Sequence, residues 1–138
     1  MAERIFDIIT NLKKKCMDKE ESIQKEYLLS PAEYNGILSV TPDEIYSCNQ
    51  LSKKMGLSVS RSSRVLERLI KNGYLKGIRN ENDRRELKVT LTEKGRNTRN
   101  KINKKLEECE KDIINKLQKS ELYILENTLN KLSDVFIS

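Results

Sequence analysis

Histidine is absent from this chain of 138 residues, and with it go the commonest general base and the commonest metal ligand. Cysteine is scarce. Cys16, Cys48 and Cys109 are odd in number and far apart, which excludes metal-ligand spacing and fits a reducing cytoplasm better than a disulfide scaffold. No glycine-rich loop precedes a helix in the pattern that cradles phosphates. Carboxylates are plentiful but sit on charged helix faces, so neither catalysis nor a cofactor is expected. No apolar run approaches the roughly 20 residues a membrane helix requires, and Met1-Ala2-Glu3-Arg4 lacks the charged-then-apolar layout of a signal peptide. A cytoplasmic protein with no membrane partner is expected. Apolar residues are also few, 36% against 35% charged, which is lean for a self-sufficient globule. Helices that bury their apolar stripes in a second subunit would account for that. Repeats, low-complexity tracts and flexible linkers are missing.

What the chain does have is localised positive charge. Of its 27 bases and 21 acids, 12 and 5 lie between Ser47 and Gly95, a balance of +7; the remaining 15 and 16 leave −1. Such a patch is the electrostatic footprint of phosphate binding. Ser47-Cys48-Asn49-Gln50 is a capping box that opens a short helix with Leu51 and Met55 inward, and Gly56-Leu57 make a turn. Ser58 is an N-cap for a second helix. On it Ser62, Val65, Leu66 and Leu69 mark a buried face, and Gly73 closes it where positive φ is needed. The outer face carries Ser60, Arg61, Ser63, Arg64 and Arg68. In a helix-turn-helix the N-terminal residues of the second helix meet base edges; arginine pairs with both guanine acceptors and serine adapts to several edges. A solvated basic face is the plain alternative. Leu75 and Ile78, then Leu87, Val89 and Leu91, read as two strands, the second alternating with Glu86, Lys88 and Thr90 outward. Between them residues 79–85 form a polar tip with turn formers at Asn80 and Asn82. Its arginines are suited to a narrow minor groove, with Asp83 orienting Arg85; a loop salt bridge is the alternative.

The flanks are helical. Residues from Ala2 to about Tyr27 carry Ile5, Ile8, Ile9, Leu12, Cys16, Ile23 and Tyr27 on one stripe, with Lys13-Lys14-Lys15 as a solvated patch or a flanking phosphate contact. Ser30-Pro31-Ala32-Glu33 caps a helix to about Val40 that buries Tyr34, Ile37 and Leu38. Thr41 to Glu44 interrupts the chain, and Ile45-Tyr46 is a short strand for the hairpin. Thr92 caps a long helix with Ile102, Leu106, Cys109, Ile113 and Leu117 at alternating steps. After a break around Lys119-Ser120, Leu122, Leu125, Leu129, Leu132 and Phe136 continue in steps of three and four. These are coiled-coil-like seams, suited to a second copy of the chain or to packing on the first helix.

From Leu51 to Gly95 the chain resembles the winged-helix core of the MarR family of bacterial and archaeal transcriptional regulators. The matching pieces are Leu66-Glu67-Arg68-Leu69 leading to Asn72-Gly73-Tyr74-Leu75, the motif Asp83-Arg84-Arg85, and the exit Leu91-Thr92-Glu93-Lys94-Gly95. The resemblance implies a mainly α fold with a small β-wing, a winged helix-turn-helix core flanked by N- and C-terminal dimerisation helices. As one domain, residues 30–95 would form the DNA-binding lobe, and 1–29 and 96–138 the dimerisation helices. The implied function is a repressor that binds double-stranded DNA as a homodimer, at a pseudo-palindrome, and releases it on meeting a small-molecule effector. DNA contacts then fall to Ser58, Ser60, Arg61, Ser63, Arg64, Arg68, Asp83, Arg84 and Arg85, with Arg85 in the minor groove. Gly77 stands where many members carry an arginine, so wing bracing from that position is left open. A protein-interaction module and an RNA-binding module grip with the same charge. Some MarR-type regulators sense peroxide through a cysteine on the first helix, steadied by tyrosines. Cys16, with Tyr27 and Tyr34, supplies those residue types; against that, a free cysteine on an apolar stripe usually acts as an inert hydrophobe.

Overall fold

The computed structural model describes the backbone of residues 3–80 and 83–136, and their side chains except at 80 and 83–85. Along it run α1 (Ile5–Glu26), α2 (Pro31–Ser39), β1 (Tyr46–Ser47), α3 (Cys48–Met55), α4 (Val59–Lys71), β2 (Leu75–Asn80), β3 (Asp83–Leu91), α5 (Glu93–Lys116) and α6 (Lys119–Val135). The chain is mainly helical with one small antiparallel sheet, in the strand order β1-β3-β2. Two compact units divide it, Met1–Ile102 and Asn103–Ser138.

Local chemistry fixes the helix starts of the first unit. Ser30 Oγ accepts from the Glu33 N–H at 3.1 Å while Glu33 Oε1 accepts from the Ser30 N–H at 3.3 Å. Ser47 and Gln50 repeat the exchange at 3.2 and 2.8 Å. Two donors that would otherwise be orphaned are thus satisfied at each start. The end of α2 has no basic residue of its own. Its carbonyls at Leu38 and Ser39 accept instead from Arg99 Nη2 at 3.5 Å and Lys54 Nζ at 2.6 Å. Gly56, at φ 67°, and Gly73, at φ 84°, end α3 and α4 in the left-handed region, where a Cβ is penalised.

The core of this unit lies where α2, α3 and α4 meet the sheet. Ser62, Val65, Leu66 and Leu69 are all buried, as the periodicity predicts. Around them Tyr34, Ile37, Val40, Leu51, Leu75, Val89 and Ile102 are buried as well. Each fully buried aliphatic side chain contributes about 1.5–3 kcal/mol. Leu87, Val89 and Leu91 point inward with Glu86 and Lys88 outward, also as read from the sequence.

Several expectations shift. Leu38 and Met55 are half-buried, not buried. The short strand is Tyr46–Ser47, paired with Val89 and Lys88; at Glu44 the carbonyl accepts from the Thr90 hydroxyl at 2.9 Å, not from a ladder amide. The polar tip is shorter than residues 79–85, since Arg79 pairs with Leu87 and Asn80 with Asp83. Ile78 sits on the outer face, opposite Leu75, and is 37% exposed. The break before α6 falls at Leu117-Gln118, because the Gln118 N–H donates to Glu121 Oε1 at 3.0 Å and starts the helix there. In α1 only Ile23 and Gln24 are buried, so most of the stripe is open in the single chain. In the second unit, no residue of α6 is buried; Ile113, Leu125, Leu129 and Phe136 are exposed.

Candidate nucleic-acid interface

The site is built on α4. Ser58 Oγ accepts from the Arg61 N–H at 3.2 Å and lies 3.4 Å from Ser60 Oγ, so its hydroxyl sets where the helix begins. With Ser62, Val65, Leu66 and Leu69 held in the core, helical geometry leaves Ser60, Arg61, Arg64 and Arg68 exposed along the opposite flank. Ser63 is half-buried. It borders a cleft of about 310 Å³ with Ser47, Cys48, Asn49, Val59, Glu86 and Leu87. The three guanidinium groups are spaced three and four residues apart, so all lie on one side of α4. Asp83, Arg84 and Arg85 open β3, and their side chains lie outside the described residues.

Not every cation of the basic stretch is free for an outside partner. Arg79 Nη2 pairs with Glu67 Oε1 at 2.9 Å. Lys94 Nζ donates to the Asn72 carbonyl at 2.7 Å and stands 4.5 Å from the centre of the Tyr74 ring. Lys54, besides its bond to Ser39, stands 4.8 Å from the Tyr46 ring. The sequence reading missed these roles. Strand alternation was the available signal for Arg79, since it shares a face with Leu75 and Gly77.

All three cysteines are free. Cys16 is exposed on α1 in the single chain, not buried on the apolar stripe. Cys48 donates weakly to the Val59 carbonyl at 3.7 Å, and burial pushes its thiol above the usual range. Tyr34, called on by the redox reading, is core packing at 1% exposed. A larger groove, about 780 Å³, lies along α1 and α2, lined among others by Lys13, Lys14, Met17, Gln24 and Leu29. No cluster of His, Cys, Asp and Glu suited to a metal occurs among the described residues, and none of their helices is long and apolar enough to cross a membrane.

A capped helix-turn-helix followed by a β-hairpin, which pairs with the short strand before it, defines the class: this is a winged-helix DNA-binding fold. Known proteins agree. The family described as transcriptional regulator SarA/Rot matches residues 18–102. The regulator BilQ of Clostridioides difficile (strain CD3) is 29% identical over 93 residues, 67% of this chain. The match spans 63% of BilQ's own length, less than two thirds. Among solved structures, a MarR-like regulator of Bacillus cereus superimposes with a TM-score of 0.78 at 23% identity, covering 96% of each chain. FabT of Streptococcus pneumoniae, solved in complex with DNA, gives 0.78 at 20% identity over 94% of this chain and 96% of its own. The chain belongs to the SarA/Rot family of transcriptional regulators, a winged-helix family of the MarR type. Its relatives are regulators, not enzymes.

Proposed function

We propose that this chain is a cytoplasmic repressor that reads a pseudo-palindromic duplex as a homodimer and lets go on binding a small effector. The observation that carries this reading is α4: one face is locked in the core, and the other offers Ser60, Arg61, Arg64 and Arg68 to solvent. Ser60, Arg61, Ser63 and Arg64 meet base edges, Arg68 a phosphate, and Ser58 fixes the start of the helix. Arg85, with Asp83 and Arg84, enters the minor groove. FabT, similar in fold, was solved with DNA, which supports this use of the fold.

Residues 30–95 act as the reading lobe, and 1–29 and 96–138 as the dimerisation helices. The many exposed apolar residues on α1 and α6, among them Ile5, Phe6, Tyr123 and Leu129, support this division, since soluble chains rarely leave such surface open. The effector sits in the groove along α1 and α2, whose lining mixes Lys13 and Lys14 with Asp18 and Glu21 around Met17 and Leu29. The test is selection of bound fragments from random duplex DNA, followed by footprinting. A symmetric footprint with half-sites about one helical turn apart, roughly 10 bp, is expected, with affinity falling steeply as salt rises. Equal retention of RNA, a flat salt response, or no retained nucleic acid would overturn the reading; the last would point to a protein partner.

A further inference from the structure

β2 and α4 meet at two points. Leu75, Gly77 and Arg79 share one face of β2 by strand alternation. At Gly77 the strand passes so close that a Cβ would stand 3.2 Å from Ile70 Cδ1 and 3.3 Å from Leu87 Cδ1. Two residues on, Arg79 Nη2 donates to Glu67 Oε1 at 2.9 Å. Glu67 lies a turn before Ile70, whereas Arg79 lies after Gly77, so β2 runs back along α4 toward its N-terminal half, where Arg61 and Arg64 stand. Arg79 is also the last residue before the register shift between Arg79 and Asn80. The ion pair therefore ties down the final regular rung of the hairpin.

We propose that the Glu67–Arg79 pair, formed two residues beyond the close approach of β2 to α4 at Gly77, sets the direction in which the wing leaves α4. Glu67 and Arg79 are positioning residues for DNA reading, and neither is a phosphate contact. This rests on the DNA-binding function proposed above. Both side chains are about half exposed, 51% and 52%, and exposed pairs add little to folding stability. The pair acts through orientation: it aims the tip, and in doing so it removes Arg79 from the pool of cations open to the backbone of DNA.

The experiment uses the full chain, the tightest duplex from the selection, and the same duplex with its flanks changed from A·T to G·C. Only the narrow A·T flank rewards a correctly aimed wing. Glu67→Gln and Arg79→Gln should each weaken binding to the A·T-flanked duplex about three- to fivefold, the scale of an exposed ion pair. They should leave the G·C-flanked duplex, the salt slope and the melting temperature nearly unchanged. The exchanged pair Glu67→Arg with Arg79→Glu should recover the loss. Equal weakening on both duplexes by Arg79→Gln, with the salt slope reduced by about one and no recovery in the exchanged pair, would make Arg79 a phosphate contact and overturn the proposal. No change in any variant would overturn it too. If the unaltered chain retains no duplex, the DNA-binding reading itself falls, and this inference with it.

Discussion

Arg61, Arg64 and Arg68 stand on one exposed flank of α4, so single replacements can separate kinds of contact. Arg61→Ala or Arg64→Ala should relax preference at particular base pairs, costing about 1–3 kcal/mol where the lost contact is bidentate. Arg68→Ala should weaken selected and random duplexes alike, as loss of a phosphate contact does. Titrating each variant against both duplexes checks the assignment, and equal losses for all three would refute it. Cys48 gives a test independent of DNA. Burial raises its thiol pKa, so folding favours the protonated form. Stability from this group is full below the ordinary thiol pKa and declines as pH rises beyond it. Alkylation of Cys48 at pH 8 should then be slower in the native protein than in denaturant, read by mass spectrometry of the modified peptide, while exposed Cys16 reacts fast in the monomer.

The exit from the wing shows what a short motif does physically. Thr92 Oγ1 accepts from the Gly95 N–H at 3.0 Å and lies 2.5 Å from the Gly73 carbonyl and 3.1 Å from that of Tyr74. Lys94 reaches the Asn72 carbonyl, and a Cβ on Gly95 would fall 2.0 Å from Tyr74 O. One run of residues thus joins the end of α4, the start of β2 and the start of α5. Gly95→Ala should destabilise by more than about 2 kcal/mol, as overpacking against fixed backbone does. Thr92→Val should cost about 1 kcal/mol from the lost cap. Thermal melts check both, and a Gly95→Ala protein as stable as the parent would refute the close approach. The caps at Ser30, Ser47, Ser58 and Thr92 were legible in the sequence because their partners lie three residues away. The buried face of α4 and the inward positions of β3 were legible because period alone sets them. Contacts between distant residues were not. Nothing near Lys54 or Arg99 announces that they cap the end of α2, and nothing near Glu67 points to Arg79. Of the candidate interface, the arginine flank of α4 followed from its periodicity. The exposure of Cys16 did not, since an apolar stripe says that a face needs cover and not where the cover comes from.

At the scale of the whole molecule, α6 is 17 residues long and buries none of them in the single chain, and helices draw most of their stability from packing. Under the homodimer reading, Leu125→Asp and Leu129→Asp replace residues that are exposed in one chain at 36% and 46% but buried in the pair. An aspartate there is tolerated if the chain works alone and strongly destabilising if it must be buried unpaired. Sedimentation and melts over a range of concentrations should show a dimer whose melting temperature rises with concentration and is lost in both variants. A folded monomer for the unaltered chain would end the idea. The sheet has a consequence of another kind, for how such a chain avoids the wrong association. One of its edges, β1, is two residues long and passes straight into α3; the other, β2, carries Lys76 and Arg79 among its six residues. Short or charged edges are poor templates for strand addition. Under the homodimer reading, two copies can crowd together until their helices meet, while neither edge of the described sheet offers the other a place to begin a fibril.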